Sequence, residues 1–359
     1  MQCSFIYASR GSGVMIEIDG SYGEGGGQIL RSSISLSVLT GKPVLIKNIR
    51  ANRPNPGLRA QHLTAVRVLK EISNASAEGL EIGSPRLEFH PKAIEEDGYR
   101  FDIGTAGSIT LVLQTIIPLS FEISKPISLT LRGGTDVRWS PTWNYFNDVF
   151  LHIVKAIGID ARTKLIRRGF YPKGGGEVEI EIFPVQNPKP LLLEEQEYSD
   201  IGGVIAVSKL KDDIPKRIKH SVIKTALERS ISCQIDVDRD DESPSEGVSI
   251  TLWSDSKESK VGASEIGEKG LPSEKLGRIV AENVLKEIES RSSLDIRMAD
   301  QILVYLAYIS AKYGERSFFF TREITGHTRT NAWLIEKFLP VKIIMNRVGK
   351  LFKIEIRGI

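Results

Sequence analysis

The sequence predicts an α/β fold: three repeated strand-helix-strand-helix-hairpin units forming a large domain, with a smaller α/β domain inserted. Three observations predict it. One order of elements (strand, helix, strand, loop, helix, hairpin) returns three times along the chain, the mark of internal duplication. The strand-to-turn openings of the three copies are closely alike: IEIDGS from Ile16, FDIGTA from Phe101 and LDIRMA from Leu294. The stretch 185–288 breaks the rhythm and opens with Asn187-Pro188-Lys189-Pro190 and an acidic run. At 359 residues the chain is long enough for more than one domain.

Residues 1–14 are Ser/Gly-flavoured and lack the apolar core of a signal peptide. They are read as a loose N-terminal extension, with Met15 as an alternative start. In the first copy, residues 15–19 alternate as a strand, 25–39 carry helical periodicity, 43–46 form a strand, and a basic loop over 48–58 precedes a helix over 59–72. The second copy has a strand at 99–103, a turn at 104–108, and a helix at 109–119. A strand at 127–131, a loop at 132–141, a helix at 143–157 and a hairpin strand at 177–183 follow. The third copy opens on a strand at 294–296, then a helix at 299–312 and a strand at 317–321. A loop holding His327 leads to a helix over 331–338 capped by Thr330 or Asn331, and strands at 341–346 and 351–356 finish it. Residues 15–184 and 289–359 make the large domain. In 185–288, strands at 203–210 and 248–253 alternate with helices at 218–231 and 273–288, and the polar loop 254–271 has room for a short strand.

Composition sets bounds on function. Hydrophobic residues make up 41% and charged residues 26%, ordinary for a soluble globular protein. The net charge of +3 is too mild to demand a nucleic-acid partner and does not oppose one. Cys3 and Cys233 have no metal-ligand spacing, so neither a disulfide framework nor a zinc site is expected. No run approaches a membrane span. A cytoplasmic protein is expected.

The most distinctive string is DGSYGEGGGQILR from Asp19. Its glycines let backbone N–H groups approach an anion at a helix N-terminus. It is neither a Walker loop nor a GxGxxG fingerprint. Glu24 would repel a phosphate there unless a divalent cation bridges the two. Arg31, a turn into the helix, suits a bidentate phosphate contact. The loop RANRPNPGLRAQH brings Arg50 and Arg53, held by prolines, close to Gln61; a solvated charged face is the alternative. Gln114 follows on a helix, and Trp139 and Pro141 offer flat surfaces for a base or for core packing. Arg297, Met298, Ala299, Asp300 and Gln301 open the next helix, where Asp300 is a cap or a ligand group. His327, between a strand and a helix, is either a reactive imidazole or a surface histidine bonded to its threonine neighbours.

Together DGSYGEGGGQILRS, RANRPNPGLRAQHLTA, GTAGSITLVLQT, RGGTD, RRGFYPKGGG, MADQ and GHTRTNAWLIEKFLP resemble the RNA 3'-terminal phosphate cyclase family, in order, from about Met15 to the C-terminus. The resemblance implies three repeats with an inserted domain. It also implies an enzyme: His327 takes AMP from ATP, with release of diphosphate, and passes it to an RNA 3'-phosphate. That end then closes to a 2',3'-cyclic phosphate as AMP leaves. On this resemblance Gln114, Pro141 and Arg297 to Gln301 hold ATP, Arg31, Arg50, Arg53 and Gln61 face the RNA phosphate, and Glu24 holds a divalent metal, Mg or Mn. Bacterial members commonly carry an aromatic residue that stacks on adenine where this chain has Arg297; an arginine plane also stacks on a base. Two rivals differ in class: a non-catalytic binding factor of the same family acting in ribosomal RNA processing, and an enolpyruvyl-type transferase. The intact Gly-His-Thr context of His327 weighs against the first, and the Glu24 turn with His327 against the second.

Overall fold

The computed structural model describes residues 14–104 and 106–359; apart from Val14, the N-terminal extension read from the sequence lies outside them. Lobe one comprises β1 (Ile16–Asp19), α1 (Gly27–Thr40), β2 (Val44–Lys47), α2 (Ala60–Ile72), β3 (Ser76–Glu78) and β4 (Leu87–His90). Its sheet has the order β1-β2-β4-β3, with β1 and β2 parallel and the other pairs antiparallel. Lobe two repeats it with β5 (Gly98–Asp102), α3 (Ile109–Ile116), β6 (Ile127–Gly133), α4 (Leu151–Ala156), β7 (Ala161–Arg167) and β8 (Gly176–Ile182). The order is β5-β6-β8-β7, again with only the first pair parallel. Identical order and sense in two sheets is what a duplicated unit requires.

Between lobes two and three lies the inserted unit: β9 (Ile201–Ser208), α5 (Asp213–Leu227), β10 (Cys233–Arg239), β11 (Gly247–Asp255), β12 (Lys260–Ile266) and α6 (Ser273–Ser290). Its sheet runs β10-β9-β11-β12 and has its own apolar cluster from Ile201 to Ile288. β10 lies outside the strands expected from the sequence: only Ile235 is buried on this edge strand, so its letters carry no apolar alternation. The short strand expected in the polar loop is the full-length β12, paired along β11.

Lobe three has α7 (Met298–Gln301), α8 (Leu303–Tyr313), β13 (Ser317–Thr321), α9 (Gly326–Phe338), β14 (Val341–Val348) and β15 (Leu351–Gly358), in sheet order β13-β15-β14. The strand expected at 294–296 does not form. Its place beside β13 is taken by the segment around Leu192, which bridges Phe318 in the parallel sense. There Phe318 N–H donates to Leu191 O and Leu193 N–H to Phe318 O. Leu191 and Leu193 also belong to the large apolar cluster, so the chain leaves the third sheet for the inserted unit after them, later than residue 185. Asp295 instead caps α7, accepting from Arg297 N at 3.0 Å and Met298 N at 2.9 Å. Other helices depart from simple periodicity. Pro118 ends α3 early in a 3₁₀ turn, Ile117–Phe121, and a π-helical turn, Tyr145–Phe150, precedes α4.

The lobes meet on α1, which packs against α2, α3 and α9. It buries Ile29, Leu30, Ile34, Leu36, Val38 and Leu39, but also Ser33, Ser35 and Ser37. A helix wrapped on all sides is apolar all round, and its small serines let neighbours come close. The inserted unit is pinned to lobe two by Arg168, the largest fully buried side chain. Its guanidinium reaches Asp136 at 3.1 Å, Asn144 at 2.8 Å and Asp238 at 2.6 Å, and its backbone N–H donates to Asp240. Asp136, fully buried, also accepts from Ser249 Oγ at 2.7 Å. Removing one partner of a buried ion pair strands the other charge. Arg168→Leu is therefore expected to cost roughly 3–5 kcal/mol, read as an earlier urea unfolding midpoint, with Asp240→Asn much milder.

Candidate active site

The site forms where the N-termini of α1 and α9 converge. Thr325 caps α9, its hydroxyl accepting from Thr328 N–H. His327 thus lies in the first helical turn, two residues past the cap, and not on a loop; Thr330 and Asn331 are inside the helix and cap nothing. Gly326 opens α9, and a Cβ there would collide with the Glu24 carboxylate. Glycine lets Glu24 lie against the helix end, where a negative charge is favoured. Tyr22 stacks on Trp333 at 3.9 Å between centroids and holds the glycine-rich loop on α9.

His327 is gripped from both sides. Gln28 donates its amide to Asp300 Oδ1, which turns Gln28 Oε1 toward His327 Nδ1, 2.8 Å away. Nδ1 therefore carries a proton, and the lone pair of a neutral ring falls on Nε2. Nε2 faces Glu24 Oε2 at 3.1 Å. That contact is attractive only with a cation or proton between the two. Behind the relay, burial raises the Asp300 carboxyl to about 6, against the pull of His327, Gln28 and Arg31. Burial likewise lowers Arg31 to about 10, with Asp300 opposing the shift.

A cavity of about 580 Å³ opens beside His327. Arg31, Gln114, Pro141, Arg297, Asp300 and Gln301 line it. Gln114 donates to Gln301 Oε1 at 2.7 Å, tying lobe two to lobe three across the floor. Met298 and Ala299 do not line it: both are buried in the core beneath α7. Trp139, 92% exposed and at φ +61, stands on the rim. Core packing is thereby excluded for it, and a bulky residue in the left-handed region is a strained feature typical of ligand sites.

Arg50, Arg53 and Gln61 lie outside this cavity, on the adjoining loop and helix. Arg53 approaches Gly26, and burial plus the charges of Arg53 and Arg59 lower Arg50. Just past this loop, in the first turn of α2, the residue that points inward is His62, while Gln61, expected to face the phosphate, is exposed. His62 Nδ1 accepts the Arg59 backbone N–H at 3.1 Å, so its proton is on Nε2. Nε2 is buried against Gly27, close to Arg31, with no partner among the described residues. Cations crowded around an unspent donor at a helix N-terminus describe an anion site. Its only sequence signal was the polar residue three positions past Arg59, where a capping side chain belongs.

The family model described as RNA 3'-terminal phosphate cyclase matches residues 22–345. The chain belongs to the RNA 3'-terminal phosphate cyclase family. It is 43% identical over 330 residues to the RNA 3'-terminal phosphate cyclase of Saccharolobus solfataricus, covering 92% of this chain and 96% of that one. It is 42% identical over 350 residues to that of Korarchaeum cryptofilum (96% and 98%) and 40% over 346 residues to that of Nitrosospira multiformis (95% and 96%). In this chain His327 meets Glu24, and Arg31 lines the cavity beside them, while Arg50 and Arg53 stand outside it. Among the described residues no three His, Cys, Asp or Glu side chains are grouped to cage a metal, and no helix is long and apolar enough to cross a membrane.

Burial, then Arg31, Arg50 and Arg59, hold His62 down at about 3. Between the ordinary histidine value and that one, the unfolded chain binds a proton that the folded chain refuses, so stability falls as pH falls. In His62→Asn, the loss of stability from pH 6 to pH 5 is expected to shrink by up to about 1.4 kcal/mol, measured by urea titration at each pH.

Proposed function

We propose that the chain converts an RNA 3'-terminal phosphate to a 2',3'-cyclic phosphate at the expense of ATP, through a covalent histidyl-AMP on His327. The observation that carries this reading is the Gln28 relay, which keeps the proton on Nδ1 and so puts the lone pair of a neutral ring on Nε2, on the Glu24 side, as a nucleophile needs. Nε2 attacks the α-phosphorus, the bond to the β-phosphate oxygen breaks, and diphosphate leaves. An oxygen of the RNA 3'-phosphate then attacks the same phosphorus, the N–P bond breaks, and His327 is restored. Finally the 2'-hydroxyl loses its proton, its oxygen attacks the activated 3'-phosphorus, and AMP is expelled.

In this reading the cavity takes the nucleoside, with Gln114, Pro141, Arg297 and Gln301 around it. The RNA phosphate goes to Arg31, Arg50, Arg53, Gln61 and His62; the buried Nε of Arg50 and Nε2 of His62 have no partner among the described residues and suit a phosphate oxygen. A divalent cation, Mg or Mn, fits Glu24, since such ions take one carboxylate plus substrate phosphates. Bound there, it would neutralise phosphate charge. Glu24 engaged with such an ion would also leave Nε2 free. Such a reaction belongs in the cytoplasm, where ATP and RNA ends meet.

The test is incubation with ATP labelled at the α-phosphate and Mg or Mn, followed by a denaturing gel. A protein-bound label, acid-labile and base-stable, is expected, absent in His327→Ala and abolished by chelator. Gln28→Ala and Glu24→Ala are expected to lower its rate at least about tenfold, the scale of losing one well-placed group. Intact wild-type protein that takes no label with fresh metal would overturn the reading in favour of a non-catalytic RNA-binding factor.

A further inference from the structure

One wall of the cavity comes from the inserted unit. Ser264, Glu265 and Ile266, at the end of β12, and Glu268 beyond it face the pocket across from α7. Arg297, at the start of α7, is held by this wall. Its Nη1 donates to Ser264 O at 3.0 Å and Ser264 Oγ at 3.3 Å, and its Nη2 to Glu265 Oε1 at 3.1 Å. The two side chains remain 41% and 37% exposed. An ion pair that open adds little stability, so stability does not account for its construction.

What the pair does is fix two things at the pocket surface. The guanidinium, tied at three points, becomes a plane of set orientation. Glu265 Oε2 keeps no hydrogen-bond partner among the described residues. A fixed guanidinium plane covers the face of a heteroaromatic ring. A free carboxylate oxygen beside it accepts from an exocyclic amino group and repels a carbonyl oxygen in the same place. With Oε1 committed to Arg297, a single oxygen remains, which matches a ring edge offering one amino donor.

We propose that Glu265 is a specificity-determining residue for the nucleotide: it sets the plane of Arg297 and accepts a hydrogen bond from the amino group of the base. The inserted unit thereby selects adenine over a purine carrying a carbonyl at that position. This rests on the nucleotide reading above and adds to it a residue from outside the three repeats.

The experiment is calorimetric titration of the full chain with ATP and with ITP, run beside labelling from each nucleotide's α-phosphate. Wild type is expected to bind ATP at least about tenfold tighter than ITP, the effect of one hydrogen bond to a charged acceptor against an unpaired one. Glu265→Ala is expected to bring the ratio near one, and Glu265→Gln, which keeps the shape and offers both donor and acceptor, to narrow it. Both variants sit at a half-open position and should melt close to wild type. An unchanged ratio in Glu265→Ala, or equal binding of ATP and ITP by wild type, overturns the assignment. Selective ATP binding that Glu265→Ala abolishes, with no label on the protein, would support the assignment and defeat the reaction instead.

Discussion

The burial of α1 among α2, α3 and α9 is the constraint on which the rest depends. Each lobe alone has a sheet with one unpartnered face and helices lacking neighbours. Packed on α1, the lobes close a single apolar cluster running from Ile18 to Ile356. The same packing brings the N-terminus of α1 beside that of α9 and the start of α7. Three helix ends from two lobes thus share one corner, and Gln28, Asp300 and His327 are within bonding reach there because the core leaves them no other place.

The corner is polar for a reason that follows from that geometry. Helix N-termini carry unpaired N–H groups and positive potential. Adding Arg31 and the Arg50–Arg59 loop leaves an excess of positive charge that burial makes costly, as the lowering of Arg31, Arg50 and His62 shows. An anion relieves that cost. On the proposed reading, that unrelieved cost is what a phosphate of the RNA end would relieve.

Much of this was legible in the letters. The repeated order of elements and the glycine-rich turn pointed to the lobes and the anion corner, because periodicity and glycine act locally. What could not be read depends on partners far along the chain. Leu294-Asp295-Ile296 resembles the strand openings of the other copies, yet the strand position was already filled by Leu191 to Leu193 and Asp295 became a cap. His327 reads as a loop residue in the sequence because Thr325, its actual cap, is followed by a glycine. His62 was missed because its direction is set by contact with Gly27, 35 positions away by residue number. Glu265 meets Arg297 only through the docking of β12, which no local pattern encodes.

The borrowed strand of lobe three has a consequence for how the chain is assembled. Leu191 and Ser317, hydrogen-bonded neighbours in the native state, are 126 positions apart. Closing so long a loop late in folding is slow and entropically expensive. Yet the entry and exit of the inserted unit lie side by side, with Gln196 N–H on Arg291 O and Ser293 Oγ near Leu193 O. Once that unit has collapsed on its own core, its two ends are already together and the remaining span behaves like a tight turn. By the same geometry, a short linker from Leu193 to Ser293 would span the gap, so the three-lobed body is topologically complete without its guest.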